Sequence, residues 1–270
     1  MAKIISFANQ KGGVGKTTTC VNVASYIAVM GCRVLIIDLD PQGNASSGLG
    51  IDKSAKTKTI YNCLDGDCTA FEAIVHTSII NLDIIPATVH LAGGEIELVQ
   101  MGNREKILKG ILSPIKSNYD FIFIDCAPSL GLLTVNALTA SDSVLIPIQC
   151  EFYALEGLTQ LMNTVKLIKE HLNNVLTVEG VVMTMKDNRS NLINQVSEEI
   201  TKFFGKKVFN TAIPRNIRLA EAPSHGEPIV VYDSSSKGGM AYQQLAEEIL
   251  IRNKIKYTQI TKQTKFYRGK

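Results

Sequence analysis

A short run of glycines and lysines near the start of the chain can bind phosphate. Residues 9–19 read Asn-Gln-Lys-Gly-Gly-Val-Gly-Lys-Thr-Thr-Thr, between an apolar stretch of strand length at residues 4–8 and a helical pattern that ends at Gly31. A glycine-rich turn at a helix N-terminus points several backbone N–H groups at one spot, where the helix dipole also favours negative charge. The sequence therefore predicts that this loop binds a phosphate group.

Two side chains of this loop indicate a nucleotide with a metal ion. Lys16 can place its charge at the β- and γ-phosphates, and the Thr17 hydroxyl can hold Mg²⁺. The loop departs from the standard phosphate loop, because Gln10 stands where the first glycine is expected and a second lysine precedes the glycine pair. A glycine turn with surface lysines is the alternative. We expect nucleotide contacts along the whole loop, from Lys11, Gly12, Gly13, Val14, Gly15, Lys16, Thr17 and Thr18.

Two later stretches place carboxylates at the ends of apolar runs. Asp38 and Asp40 follow residues 34–37, and the alternation of a strand puts both on the same side. A carboxylate here can orient an attacking water or hold a metal ion, although two solvated loop carboxylates would show the same spacing. Asp125 follows residues 121–124, the pattern of a buried strand that delivers one carboxylate toward Mg²⁺, commonly through water. We therefore predict Asp125 as a metal-site residue, together with the first threonine of the loop.

A segment near residue 215 carries groups that can recognise a base. Asn216 has a side-chain amide able to pair with a base edge, and Pro214 offers a flat apolar face. Arg215 and Arg218 can contact nucleotide, a partner protein or DNA, and Arg189 lies in an earlier loop just before a predicted helix. A single arginine is more often an ordinary surface charge, and the residues alone do not decide among these readings.

The elements that must position these residues alternate along the chain. Short apolar runs between helical patterns are typical of a mostly parallel twisted sheet with helices on both faces, and we predict an α/β fold, a single-domain P-loop NTPase. In such a sheet the ligand lies beyond the carboxyl ends of the strands. The predicted strands are 3–8, 33–38, 82–85, 121–125, 143–148, 178–183 and 229–231. The predicted helices are 17–30, 90–100, 103–117, 154–172, 190–204 and 238–252.

Composition and charge limit the classes of protein. The chain has 270 residues, 45% of them hydrophobic, and no apolar run approaches the length of a membrane span, so we expect a cytoplasmic protein. Its six scattered cysteines favour reduced thiols over a metal site. Residues 252–270 carry seven basic residues and no acidic one, which leaves 21 basic against 25 acidic residues, a net charge of −4, in residues 1–251. We predict a main domain, 1–251, that can bind nucleic acid only through a local patch, and a basic C-terminal tail, 252–270.

Several of these motifs together resemble one family. The motif Lys-Gly-Gly-x-Gly-Lys-Thr at residues 11–17 resembles the deviant Walker A motif of the ParA/MinD ATPases. The runs at residues 38–44, 149–157 and 222–226 look like Soj-type ParA proteins, and the similarity extends from residue 1 to about residue 250. The iron protein of nitrogenase, another relative, needs cluster cysteines that do not match the cysteines here.

The resemblance implies a function and a set of roles. ATP and Mg²⁺ would drive formation of a homodimer that binds DNA without sequence preference, at the nucleoid, and a ParB-type centromere-binding partner would stimulate hydrolysis. The cargo would be a chromosome or a plasmid, and no stable membrane association is expected. By resemblance, Lys11 reaches the partner's nucleotide across the dimer, Asp40 is the catalytic carboxylate, Pro214 and Asn216 read the adenine, and Arg189 and Arg218 bind DNA.

Two alternatives of other classes stay open at this point. A MinD-like spatial regulator would bind the membrane surface through an amphipathic helix, and Ile251, Ile255 and Ile260 are the apolar residues of the tail that can contact lipid. The apolar stripe is thin, and Thr258 lowers helix propensity. A metabolic P-loop enzyme of the cobyrinate amidase type would need a small-molecule pocket, which the sequence does not locate.

Overall fold

The computed structural model describes residues 1–53, 57–151, 154–186, 191–261 and 264–268 of the chain. The strands of these ranges are β1 Lys3–Phe7, β2 Val34–Leu39, β3 Val75–His76, β4 Leu82–Ile85, β5 Phe121–Cys126, β6 Ser143–Gln149 and β7 Thr177–Thr184. They form a seven-stranded sheet in the order β3-β4-β2-β5-β1-β6-β7. Neighbouring strands run parallel, apart from the antiparallel β3–β4 pair at one edge. The predicted mostly parallel α/β fold is confirmed.

Helices follow most of the strands, as expected of parallel crossovers. They are α1 Lys16–Val29, α2 Asn44–Gly48, α3 Ile60–Asp65, α4 Ala70–Ala73, α5 Leu91–Leu98, α6 Ile107–Leu112, α7 Leu132–Ala140, α8 Ala154–His171, α9 Asn191–Phe204, α10 Ile217–Glu221, α11 Ile229–Tyr232 and α12 Lys237–Arg252. Single 3₁₀ turns occur at Arg104–Lys106, Ser113–Ile115, Gly205–Lys207 and Ala222–His225.

Alternate residues of each central strand enter two separate cores. In β1, Ile4 packs with the helices α3 to α9 on one face, whereas Ile5 and Phe7 pack with α1, α11 and α12 on the other. β2 and β5 are buried along their whole length. Helices cover both faces of these strands, and β5 pairs in parallel with β1 on one side and with β2 on the other. The carboxyl ends of β1, β2 and β5 are therefore held together.

Two of the predicted elements are wrong. The run at 229–231 was expected to be a strand but forms α11. The helical turn begins at Pro228, because the Pro228 carbonyl accepts hydrogen bonds from the Val231 and Tyr232 N–H groups. The predicted helix 103–117 is interrupted, since its C-terminal part is a 3₁₀ turn that begins next to Pro114. β3 and the short helices α2, α3, α4, α7 and α10 were not predicted.

The end of the chain packs against the body in the ranges described. The Thr258 N–H donates to the carbonyl of Met30 at the end of α1 (2.9 Å), and the Ile80 N–H donates to the carbonyl of Phe266 (3.0 Å). Ile255 and Ile260 contact the core on the α1 side, which leaves Ile251 as the exposed member of the apolar set considered for lipid contact. Across the described ranges, no helix combines the length and apolar character that a membrane crossing requires. The division at residue 251 stays a prediction.

Candidate nucleotide site

The phosphate loop connects β1 to α1 in a conformation that glycine makes possible. Gly13 and Gly15 have φ values of +73° and +83°, in the left-handed region that other residues rarely adopt. The loop is fastened to its neighbours by side chains: the Asn9 amide donates to the Pro147 carbonyl (2.8 Å), and the Thr184 hydroxyl donates to the Val14 carbonyl (2.8 Å). The free N–H groups at the start of α1 are thus presented at the carboxyl edge of the sheet, as an anion site requires.

Lys16 lies inside this loop. Its Nζ donates to the Lys11 carbonyl (2.9 Å), and the residue is 6% exposed. Burial lowers the pKa of Lys16, while the nearby carboxylates of Asp125 and Asp40 act in the opposite direction. An ammonium group that burial has stripped of water gains strongly from an anionic ligand. A nucleotide phosphate is the ligand that this arrangement favours.

Lys11 has a different partner. Its ammonium group forms an ion pair with the carboxylate of Glu151, which follows β6, and both side chains are partly exposed. The two lysines of the motif therefore separate in this chain, one inside the loop and one paired at its rim. Glu151 was not singled out from the sequence, because a contact between residues 140 positions apart leaves no local signal.

Asp125 fits a divalent cation. It is fully buried at the end of β5, directly opposite Asp38 of β2, and in the described structure neither of its oxygens receives a hydrogen bond of normal geometry. Burial raises the pKa of Asp125 well above its usual range, Asp38 raises it further, and the adjacent Thr17 hydroxyl lowers it. Mg²⁺ usually takes one or two protein oxygens, with waters and phosphates completing its shell, which suits Thr17 and Asp125. The described residues contain no cluster of three or more metal-ligating side chains.

The two aspartates at the carboxyl end of β2 differ in their surroundings. Asp38 is fully satisfied: its Oδ2 accepts from the Ser46 N–H (2.8 Å) and hydroxyl (2.7 Å), and its Oδ1 accepts from the Asp40 N–H (3.3 Å). Burial raises the pKa of Asp38 to about 6. Asp40 accepts one bond, from the Gln42 N–H (2.9 Å), and faces Lys16 and Asp125 electrostatically. Asp38 thus acts as the anchor for α2, and Asp40 keeps lone pairs for a ligand.

A cavity of about 290 Å³ lies beside the first turn of α1. Pro214 and Asn216 line it together with Gly15 and Thr18 of the phosphate loop. The Asn216 Oδ1 caps α10 by accepting from the Arg218 N–H (2.8 Å), which fixes the side chain at the rim of the cavity. The structure therefore brings the two predicted base-reading residues next to the predicted phosphate site.

The predicted DNA-binding arginines can be placed only in part. Arg218 is half exposed on α10, where it pairs with Glu221 (2.9 Å) and Asp233 (3.5 Å). Arg189 lies outside the described residues.

Comparison with known proteins identifies the family. A family described as an AAA domain matches residues 2–178. The chain is 58% identical over 249 residues to the sporulation initiation inhibitor protein Soj of Bacillus subtilis (strain 168), covering 92% of this chain and 98% of that protein. It is 49% identical over 253 residues to the chromosome-partitioning ATPase Soj of Treponema pallidum (strain Nichols), covering 94% and 99%. The chain belongs to the ParA/Soj family of chromosome-partitioning ATPases.

Solved structures agree with a ParA/Soj-type ATPase fold. A cobyrinic acid a,c-diamide synthase from Mycobacterium smegmatis with bound ADP and magnesium has a TM-score of 0.82 and 33% identity, covering 97% of this chain and 100% of that one. The septum site-determining protein MinD of Pyrococcus horikoshii with Mg-ADP has a TM-score of 0.76 and 28% identity, covering 92% and 96%. Both alternatives considered from sequence thus share the fold, and the higher identity to Soj proteins decides the family. The predicted family and ATPase class, with ATP and Mg²⁺ as ligands, are confirmed.

Proposed function

We propose that the chain is a partitioning ATPase whose ATP-bound homodimer binds DNA without sequence preference. Two chains close on two nucleotides, and a ParB-type partner stimulates hydrolysis, which releases the dimer from DNA. The cycle segregates a chromosome or a plasmid at the nucleoid. The names of the relatives, which include a chromosome partitioning protein ParA of Myxococcus xanthus at 51% identity over 253 residues, support partitioning as the process.

The residues of the site divide the work of phosphoryl transfer, in which positioning and charge neutralisation dominate. Lys16 and the N–H groups of the loop bind the phosphates. Mg²⁺, held by Thr17 and reached by Asp125, would neutralise charge on the transferred group. Asp40 orients the attacking water, and Pro214 and Asn216 hold the base.

The observation that supports the proposed dimer is the ion pair between Lys11 and Glu151. Its charge is bound by Glu151 at the rim, while Lys16 alone supplies an ammonium group inside the loop. The side chains of Lys11 and Glu151 are 36% and 45% exposed. Lys11 can therefore exchange Glu151 for a stronger anion without unfolding of the surrounding structure. A nucleotide carried by a second chain is such an anion, and it would complete the site only in the dimer.

Charge supports a local DNA patch. Residues 1–251 carry a net charge of −4, so general attraction cannot bind DNA to the body. Arg218 lies beside the base cavity, and Arg189 is the second proposed contact. Dimerisation doubles such a patch, and each phosphate neutralised adds about 0.9 to the slope of log affinity against log salt. ATP should therefore raise both DNA affinity and its salt dependence.

Light scattering with and without Mg–ATP tests the proposal. The parent and Lys166→Ala, which removes an exposed lysine of α8, are expected to double in mass with ATP. Lys16→Ala and Lys11→Ala are expected to stay monomeric. If Lys16→Ala dimerises with ATP as the parent does, the assignment of the nucleotide site is wrong. If Lys11→Ala does so, Lys11 does not contact the partner's nucleotide across the dimer.

A further inference from the structure

Two left-handed glycines cross where the catalytic loop meets the base-binding segment. Gly50, two residues after α2, has a φ of +71°, and Gly226, after the turn Ala222–His225, has a φ of +66°. A Cβ atom on Gly226 would lie 2.8 Å from the Gly50 Cα, and a Cβ atom on Gly50 would lie 3.0 Å from the Gly226 carbonyl oxygen. Carbon atoms at optimal packing are about 3.5–4.0 Å apart. The two backbones therefore touch, with no room for a side chain on either.

Hydrogen bonds connect the first glycine to the backbone of Asp40, the proposed catalytic residue. The Gly50 N–H donates to Ser47 (3.0 Å), the Ser47 N–H donates to Gly43 (3.1 Å), and the Gly43 N–H donates to the Asp40 carbonyl (2.8 Å). Ser46, within the same helix, holds Asp38 with two further bonds. The eleven residues from Asp40 to Gly50 thus behave as one short, internally bonded unit.

A second set of bonds connects the other glycine to the base-binding residues. The Gly226 N–H donates to the Pro223 carbonyl (3.1 Å), and the Ser224 hydroxyl donates to the Glu221 carbonyl (2.6 Å). Glu221 ends α10, the helix that Asn216 caps. Gly226 thus ends the turn that directly follows the helix capped by Asn216.

A cavity lies between the helices near the crossing. It has a volume of about 430 Å³, with Thr17, Asn44, Ser47 and Pro223 among its lining residues. Ala45, Leu49 and Ala222 also belong to one buried cluster, so the segments of α2 and of the turn after α10 pack together. The glycine crossing adds a direct backbone contact between these two segments.

We propose that the backbone contact between Gly50 and Gly226, here called the joint, couples the position of Asp40 to occupancy of the base cavity. Binding of the base fixes α10 and its following turn, and the crossing passes that position to the Asp40 unit, so that a correctly bound base places Asp40 for hydrolysis. Gly50 and Gly226 are positioning residues, and the inference rests on the roles proposed above for Asp40 and Asn216.

Alanine substitutions with a matched control test the joint. Gly226→Ala and Gly50→Ala each force the crossing apart, whereas Gly66→Ala introduces alanine at a similar φ, +87°, with no atom within 4 Å of the added carbon. Turnover at saturating Mg–ATP is expected to fall about 10- to 100-fold in the first two, because a displacement of this size misplaces a catalytic group. ATP affinity, measured by titration with a fluorescent ATP analogue, should change by less than about threefold. Gly66→Ala should keep the turnover of the parent.

A double-mutant cycle in turnover separates a joint from a structural effect. Asn216→Ala is expected to lower turnover in the parent and to have little further effect in Gly226→Ala, because the crossing no longer transmits the position of α10. Additive effects of Asn216→Ala and Gly226→Ala on turnover would contradict the proposal. So would a loss of ATP affinity as large as the loss of turnover, or equal turnover of Gly226→Ala and Gly66→Ala. Gly50→Ala, which meets one carbonyl oxygen at 3.0 Å, provides the milder second variant. A parent that does not hydrolyse Mg–ATP would instead contradict the proposed function.

Discussion

Replacing Asp38 by asparagine should change how the stability of this ATPase depends on pH. The carboxyl is fully buried, and burial raises its pKa from 3.8 to about 6 despite the bonds from Ser46 and Asp40. The folded state therefore holds a proton that the unfolded chain releases near pH 4. Since stability falls with pH wherever the folded state binds more protons, Asp38 lowers stability progressively between about pH 4 and pH 6.

The size of the effect follows from the two pKa values. The difference between the two pKa values, 3.8 and about 6, lowers the free energy of unfolding by about 3 kcal/mol at pH 7. Roughly half of this decrease occurs between pH 5 and pH 7. Asparagine can still accept from Ser46 through its amide oxygen, but its NH2 group cannot accept from the Asp40 N–H, and this cost does not depend on pH. Relative to the parent, Asp38→Asn should gain about 1–1.5 kcal/mol in the free energy of unfolding as the pH rises from 5 to 7.

Urea denaturation at pH 5, 6 and 7 without nucleotide measures this gain. Asp65→Asn, which removes an exposed carboxyl at the end of α3, serves as the control for a simple change of charge. The difference between Asp38→Asn and the parent should grow steadily with pH. A difference that is the same at pH 5 and pH 7 would refute the burial argument, and a difference that shrinks would reverse its sign.

Three further predictions concern turnover, metal and DNA. Asp40→Ala should keep ATP binding and dimerisation while turnover falls about 100-fold, and unchanged turnover would remove Asp40 from the mechanism. Asp125→Asn should raise the melting temperature without ligand, because burial opposes ionisation of this carboxyl. It should also reduce the increase in melting temperature that Mg–ATP causes. An unchanged increase with Mg–ATP would contradict the metal role of Asp125. Replacing the exposed Lys254, Lys256 and Lys265 by alanine should leave ATP-dependent DNA co-sedimentation within about twofold, and its loss would assign DNA binding to the tail.

The site could be predicted from sequence because parallel topology gathers strand ends. Lys16, Asp40 and Asp125 come from three distant parts of the chain, yet each follows a buried apolar run. Parallel strands place such residues at one edge without any further information. The same rule led to the fold class, since each run alternates with a helical pattern.

Features that depend on contacts across the chain could not be predicted. Ile229, Val230 and Val231 are β-branched and favour a strand by propensity, but a bond of 2.7 Å from the Ile229 N–H to the Asn22 side chain helps hold that run as a helix. The Lys11–Glu151 pair and the Gly50–Gly226 crossing likewise join residues far apart in sequence. Propensity and spacing describe local preferences, and these contacts belong to the assembled fold.

The positive charge of the basic C-terminal segment is partly used within the chain. Arg268 is bound to Asp83 (2.6 Å) and Arg252 to Glu248 (2.7 Å), so part of the charge is already paired within the chain. The contacts to Met30 and to Asp83 hold the segment at the amino end of β4, whereas the candidate nucleotide site lies at the carboxyl ends of the strands. We therefore expect a surface that binds DNA in response to nucleotide to lie near the carboxyl edge, where Asn216 lines the base cavity and Arg218 follows it. Removing the whole segment would also uncover the core surface that Ile255 and Ile260 pack against, which makes charge substitution the sharper way to separate the two surfaces.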